Sequence, residues 1–272
     1  MQHQALDAPA ALRDAIEGFW YIGQDFGAAP ASFEVTPDGY AEIIFQFGSG
    51  CSLATADGPQ DLTSPFLVGL LQQPVRFQAQ HRLEIIGVKC YPWAVFELLG
   101  LPPGNDGVRR VEHPLARLQA PLAQLLAAGE VAAALALVAQ YFEQARARPA
   151  GPRLLDKAGE AMLAAHGRLP VREVAAAAHA TVRTLERRFK QAAGHTVKDV
   201  SGLMRFEQAR NQLMQHPTAS LAALAQELGY ADQAHLGREF KRYCGLTPAA
   251  FARKARLWQQ AERRDFVAFV LS

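Results

Sequence analysis

Long hydrophobic runs are missing from this chain of 272 residues. The longest apolar stretch, Val131–Ala139, is bounded by Glu130 and Gln140 and falls far short of the roughly 20 residues a membrane span needs. The first residues carry Asp7, no Lys or Arg before Arg13, and no apolar h-region, so no signal peptide is expected. Cysteine is scarce: Cys51, Cys90 and Cys244 stand far apart, which speaks against a metal-type pair or a disulfide framework and suits a reducing cytoplasm. The eight histidines are at 3, 81, 113, 166, 179, 195, 216 and 235, no two within ten residues. A His-x-His ligand pair is therefore missing, and His81 with Glu42 or Glu84 is the remaining metal option. There is no G-x-S-x-G elbow, P-loop or G-x-G-x-x-G. No catalytic residue, metal or cofactor is expected.

What is present is a balance ordinary for a globular protein, 50% hydrophobic and 20% charged, with length enough for about two domains. The net charge of +2 hides an asymmetry. Residues 1–150 carry 9 Lys and Arg against 15 Asp and Glu, a net −6, whereas residues 151–258 carry 17 against 9, a net +8. A basic segment tied to an acidic one points to a polyanion meeting only the C-terminal part.

The first hundred residues read as short strands. Tyr40–Phe47 follows the turn signal Pro37-Asp38-Gly39, and Phe66–Leu71, Val75–Gln80 and Leu83–Cys90 follow at about ten-residue spacing, which predicts a barrel or sandwich. Ala10–Trp20 is compatible with a short helix or an edge strand. After Pro92 the periodicity turns helical. Trp93–Leu99 ends at Gly100 and Pro102-Pro103, and Leu115–Ala127 and Glu130–Ala147 form a helical pair. Leu118, Leu122, Leu125 and Leu126 are either core or a dimer seam, with core the favoured reading. Pro149-Ala150-Gly151-Pro152 marks the domain boundary.

Beyond it lies an internal repeat. Arg187-Arg188-Phe189-Lys190 aligns with Arg238-Glu239-Phe240-Lys241 at an offset of 51, as do Leu185 with Leu236 and Gly194 with Gly245. Upstream the offset is 50, matching Val171, Val174, Ala175 and Ala178 to Leu221, Leu224, Ala225 and Leu228. Each unit is a short helix, a tight turn and a second helix: 170–194, then 220–245, with a linker helix 197–215 between them. Thr181, Ser220 and Asp232 are N-cap candidates, and Gly194 and Gly245 close helices. Leu185 and Phe189, like Leu236 and Phe240, share one inward face. Arg183, Glu186 and Arg187, and Gln233, Ala234, Gly237 and Arg238, then face outward, where an N-terminal helix half can enter a major groove.

Residues 153–257 resemble the DNA-binding domain of the AraC/XylS family of bacterial transcription regulators. The segments ATVRTLERRFKQAAGHT and LAALAQELGYADQAHLGREFKRYCGLTPAAFAR carry the resemblance, above all Gly229-Tyr230, Phe240-Lys241, Gly245 and Thr247-Pro248. It implies that Thr181, Arg183, Glu186, Arg187, Gln233, Ala234, Gly237 and Arg238 meet double-stranded promoter DNA, Ala234 and Gly237 being too short for long-range base contacts. Thr36-Pro37-Asp38-Gly39 before YAEIIFQFG, with IIGVKCYPWAVFELLG, resembles the cupin-like sensor domains that precede such domains. The expected architecture is α+β: a mostly β, cupin-like sensor over 1–150, an all-helical tandem helix-turn-helix domain over 151–258, and a tail, 259–272. The implied function is an effector-responsive, cytoplasmic regulator, not an enzyme. Trp20, Tyr40, Phe45, Tyr91 and Trp93 are the candidate pocket residues. A small-molecule effector, RNA polymerase and a second copy of the chain are the expected partners besides DNA, and no membrane. The competing classes are a cupin-like enzyme, or an interaction protein, with a retained DNA-binding domain.

Overall fold

The computed structural model describes residues 2–101, 107–145 and 153–260. The expected boundary at Pro149–Pro152, the stop at Pro102-Pro103, the last two residues expected of the Glu130–Ala147 helix and the tail from 261 onward lie outside them.

Among the described residues ten strands come first: β1 Gln2–Asp7, β2 Ile16–Asp25, β3 Ala31–Val35, β4 Ala41–Gly48, β5 Cys51–Thr55, β6 Gly58–Asp61, β7 Phe66–Val68, β8 Val75–Ala79, β9 Arg82–Cys90 and β10 Val108–Arg110. They form a six-stranded sheet ordered β1-β2-β9-β4-β7-β10 and a four-stranded sheet ordered β3-β8-β5-β6. All pairings are antiparallel. The two sheets form a sandwich compatible with the cupin-like plan, and among the described residues no ladder closes them into a barrel. The Ala10–Trp20 segment splits. Pro9–Ile16 makes tight turns, with Leu12 and Ile16 amides donating to Pro9 and Leu12 carbonyls, and β2 then runs between β1 and β9 rather than at an edge.

Period-two alternation sorts the six-stranded sheet into two faces. One face turns Phe19, Tyr21, Ile43, Phe45, Ile86 and Val88 toward the helices, all buried in the main core. The other turns Ile22, Ile44, Leu83 and Ile85 toward the second sheet, against Phe33 and Phe77.

The helices are α1 Val95–Leu98, a 3₁₀ turn Pro114–Leu118, α2 Gln119–Ala127, α3 Val131–Ala145, α4 Leu154–Ala164, α5 Val171–Ala177, α6 Val182–Ala193, α7 Val197–Gln215, α8 Leu221–Glu227, α9 Gln233–Cys244 and α10 Pro248–Gln260. The α2–α3 pair packs its own core: Leu118, Leu122 and Leu126 are buried and Leu125 packs against them half-buried. Those leucines are therefore not a free dimer seam.

One apolar core runs without a break from the first sheet into the helical domain. Trp93, just before α1, packs on Phe189 of α6 with ring centroids 5.9 Å apart. Its indole fills the space over Gly159 of α4, where a Cβ would come within 2.3 Å of the ring. Only glycine lets that helix approach so closely.

Candidate nucleic-acid interface and effector cavity

The two helix-turn-helix units repeat at atomic detail. In the first, the Ala178 and Ala180 amides donate to the Val174 and Ala175 carbonyls at 3.1 and 2.9 Å. In the second, Leu228 and Tyr230 do the same to Leu224 and Ala225, again at 3.1 and 2.9 Å. The turn needs one left-handed residue, which is His179 at φ 52° in the first unit and Gly229 at φ 74° in the second. The second helices are capped alike. Thr181 accepts from the Thr184 amide at 3.2 Å and Asp232 from the His235 amide at 2.6 Å, satisfying amides that a helix start leaves open. Both end on a glycine at φ 73°, Gly194 and Gly245. The sequence places all of these caps correctly.

Leu185, Phe189, Leu236 and Phe240 are wholly buried, so the opposite helix faces look outward. Thr181, Arg183, Arg187, Gln233, Ala234 and Arg238 are exposed, and Glu186 and Gly237 are half-buried. A Cβ on Gly237 would meet nothing within 4 Å. Arg188, Lys190, Lys241 and Lys198 are exposed nearby and suit phosphate contact. The spacer α7 starts with a capping box, Thr196 and Asp199 exchanging hydrogen bonds of 3.1 Å. At 19 residues it is about 28 Å long.

In the N-terminal domain a cavity of about 250 Å³ opens between the two sheets. Two cross-strand rows line it. One aligns Gly18, Lys89, Glu42 and Val68; the next aligns Trp20, Gly87, Ile44 and Phe66. The Trp20 indole lies over Gly87, where a Cβ would sit 2.1 Å from the ring, and its Nε1 donates to Glu42 Oε1 at 3.0 Å. The Lys89 ammonium stands 4.1 Å from the Tyr40 ring centroid. Burial, reinforced by the Asp38 charge, pushes the Glu42 carboxyl up to about 7. Burial likewise pushes Asp38 up to about 6, against the pull of Lys89.

Of the five aromatic residues singled out in the sequence, Trp20 and Tyr40 line this cavity. Phe45 lies on the opposite face of β4, wholly buried in the main core, because odd-numbered positions of that strand face the helices. Tyr91 and Trp93 stack at 4.9 Å and line a second hollow against α4, at the seam between the domains. Tyr40 touches Tyr91 at 5.9 Å. The aromatic contacts thus run from Lys89 through Tyr40, Tyr91 and Trp93 to Phe189, on the buried side of α6.

A second contact joins cavity and spacer. The side chain of Arg210 on α7 is 1% exposed; it donates to Thr36 Oγ1 at 3.1 Å and to the Pro37 carbonyl at 3.4 Å. Met204 sits under Gly39, where a Cβ would come within 3.2 Å. Thr36, Asp38 and Tyr40 of the same loop line the cavity. Sequence reasoning missed Asp38, Lys89 and Arg210 as site residues and weighed Glu42 only as a metal partner of His81, not as a cavity residue. The available signals were Glu42 sharing a strand face with Tyr40 and Ile44, and one arginine on an otherwise apolar helix face.

His81 occupies the β8–β9 turn at φ 53°. Glu84 accepts from the Tyr21 hydroxyl at 2.6 Å and from Arg82 at 3.0 Å. Among the described residues no three His, Cys, Asp or Glu side chains gather as a metal-holding group, and no helix is long and apolar enough to cross a membrane.

Residues 174–254 match the family model described as a helix-turn-helix domain, and residues 4–106 match one described as a domain of unknown function (DUF6597). No curated protein matches the chain. Among solved structures, ToxT from Vibrio cholerae O395 bound to (E)-4-(8-methylnaphthalen-1-yl)but-3-enoic acid is similar at 8% identity and a TM-score of 0.47, over 94% of this chain and 100% of that one. The DNA-binding domain of AdpA in complex with a target DNA is similar at 25% identity and a TM-score of 0.37, over 40% of this chain and 98% of that one. A transcriptional regulator with an AraC-type DNA-binding domain, from Chromobacterium violaceum, is similar at 23% identity and a TM-score of 0.35, over 38% and 91%.

Proposed function

We propose, from the premise that the C-terminal part of the chain is an AraC-type helix-turn-helix domain, that the protein is a transcription regulator which reads a bipartite promoter site and answers to a small molecule. One observation carries the reading. Two units with the same turn, caps and buried stripe present Arg183, Glu186 and Arg187, and Gln233 and Arg238, outward on a basic domain. Arginine can hold a guanine edge with two hydrogen bonds, and glutamate can accept from cytosine. The spacer α7 is near the roughly 34 Å that separates successive major-groove faces of a duplex. One chain therefore suffices for both half-sites, with no need for a second copy. Phosphate contacts by the flanking lysines position the domain without reading sequence. At a promoter the expected protein partner is RNA polymerase.

The effector half of the proposal rests on the cavity and its two contacts with the helical domain. A ligand pressing on Tyr40 or on the Thr36–Gly39 loop acts on α6 through the aromatic ladder and on α7 through Arg210. It can change DNA binding only by the difference in its affinity for the two arrangements of these contacts.

The test is binding of the full chain to its own upstream region against random DNA of equal length, with salt titrated. Selective binding with a steep inverse dependence on salt is expected, because each neutralised phosphate releases counterions. Equal affinity for both DNAs across the salt range rejects the regulator reading.

A further inference from the structure

The cavity walls are sorted by chemistry. Aromatic rings from both sheets, Trp20, Phe33, Phe66 and Phe77, form the body. Glu17, Asp38, Glu42 and Asp7 bring four carboxyl groups to the lining, against one lysine, Lys89, and one imidazole, His3 on the exposed β1. That lysine is already engaged: its ammonium rests on Tyr40 and is held by the charges of Asp38, Glu207, Glu42 and Glu17. An anionic ligand would have to take Lys89 from these carboxylates while adding negative charge to a desolvated site. A cation meets the reverse situation. Glu42 is held beside the Trp20 indole by the Nε1 hydrogen bond, so a carboxylate and a large aromatic surface adjoin. Carboxylate and ring together are the recognition chemistry of organic ammonium groups, and both gain strength when water is excluded.

We propose that the cavity between the sheets takes a small organic monocation, a protonated amine carried on a flat apolar body, with the ammonium against Glu42 and Asp38 and the body among the aromatic rings. This rests on the reading of the cavity as the effector site. The raised carboxyls agree with it, since burial leaves their charges under-compensated despite Lys89 and, for Asp38, Arg210. A bound cation draws both back toward ionisation and so expels a proton near neutral pH. The groups that set this response are Trp20, Glu17, Asp38, Lys89 and Cys90 around Glu42, and Tyr40, Glu207, Lys89 and Arg210 around Asp38.

Three probes of one skeleton test it by calorimetric titration of the full chain without DNA: phenethylamine, hydrocinnamate and phenethyl alcohol. Phenethylamine is expected to bind about ten-fold or more tightly than the other two, the worth of one charge-assisted contact. At slightly acid pH its binding heat is expected to depend on the buffer, reporting proton release. Glu42→Gln, which keeps an oxygen for Trp20, is expected to weaken the amine by about the same factor and leave the alcohol unchanged. Tighter binding of hydrocinnamate, or equal affinity for all three, overturns the cation assignment while the effector cavity stands. Binding by none of them overturns it too. Failure of the regulator reading shows separately, in the ligand-free DNA assay.

Discussion

At the residue scale, the two arginines that repeat at offset 51 are the ones the proposed function assigns to reading DNA. Arg187 and Arg238 are both exposed on the outward faces of α6 and α9. Replacing either with alanine is expected to cost about 1–3 kcal/mol of affinity for the native site and to relax preference at one position. Equal binding of variant and wild type, in a competition assay against single-base variants of that site, would remove the residue from the reading surface. Glu42 makes a different prediction. Its carboxyl titrates near 4.5 when free and near 7 in the fold. Between those values the folded chain holds a proton the unfolded chain has lost, so stability falls as pH rises through that window and is flat above it. Glu42→Gln is expected to remove much of that fall, on the order of 1–3 kcal/mol. Denaturant melts of both proteins at pH 5 and pH 8 check it: parallel pH dependences would mean that Glu42 is ionised throughout.

At the element scale, the helix-turn-helix units were legible because their signals are local. Thr181, Asp232, Gly194 and Gly245 each act within four residues of chain, and the inward stripe follows from 3.6-residue spacing. The strands were half legible. β4 and β9 announce themselves through aromatic and β-branched runs, whereas β1, QHQALD, is wholly exposed and β6 is Gly-Pro-Gln-Asp. Such strands exist because a neighbour offers its edge, which composition does not reveal. Two of the cavity's aromatic residues, Trp20 and Tyr40, were legible, but its charged groups were not, for a related reason. Glu42 meets Lys89 only through the register of β4 on β9, and Arg210 meets Thr36 across 174 residues. One local strain remains in the repeat, where His179 holds the left-handed position that Gly229 holds in the second unit. An L-residue there costs about 1–2 kcal/mol, and glycine's extra chain entropy returns roughly 0.5–1. His179→Gly is therefore expected to stabilise by about 0.5–1 kcal/mol in thermal or chemical melts. A loss of stability would show that the imidazole makes a contact worth more than the strain.

At the scale of the whole molecule, the continuous core that passes through both parts predicts that they fold as one unit. Trp93 is the pivot: it stacks on Tyr91, touches Phe189 and occupies the hollow over Gly159. Trp93→Ala is expected to cost about 3–5 kcal/mol and to split one calorimetric transition into two. A single transition retained at lower temperature would mean that other contacts of the seam suffice. The variant is also expected to bind DNA without response to a cavity ligand, since the ladder to α6 is cut at its centre.

The two recognition helices are unequal in a way that bears on how promoters can drift. Ala234 and Gly237 stand at offset 51 from Arg183 and Glu186, so the second helix presents a methyl and bare backbone where the first presents long side chains. The operator's message is then unevenly written. On the proposed reading, bases beneath α6 are expected to be spelled strictly, while those beneath α9, a helical turn away, are expected to tolerate variant spellings so long as the groove is there. Aligned target promoters should show one sharp block of sequence and one faint one. Because Gly237 faces open space, a single codon change to a longer polar residue could add a letter to the faint block, giving the protein new promoters without loss of the old half-site.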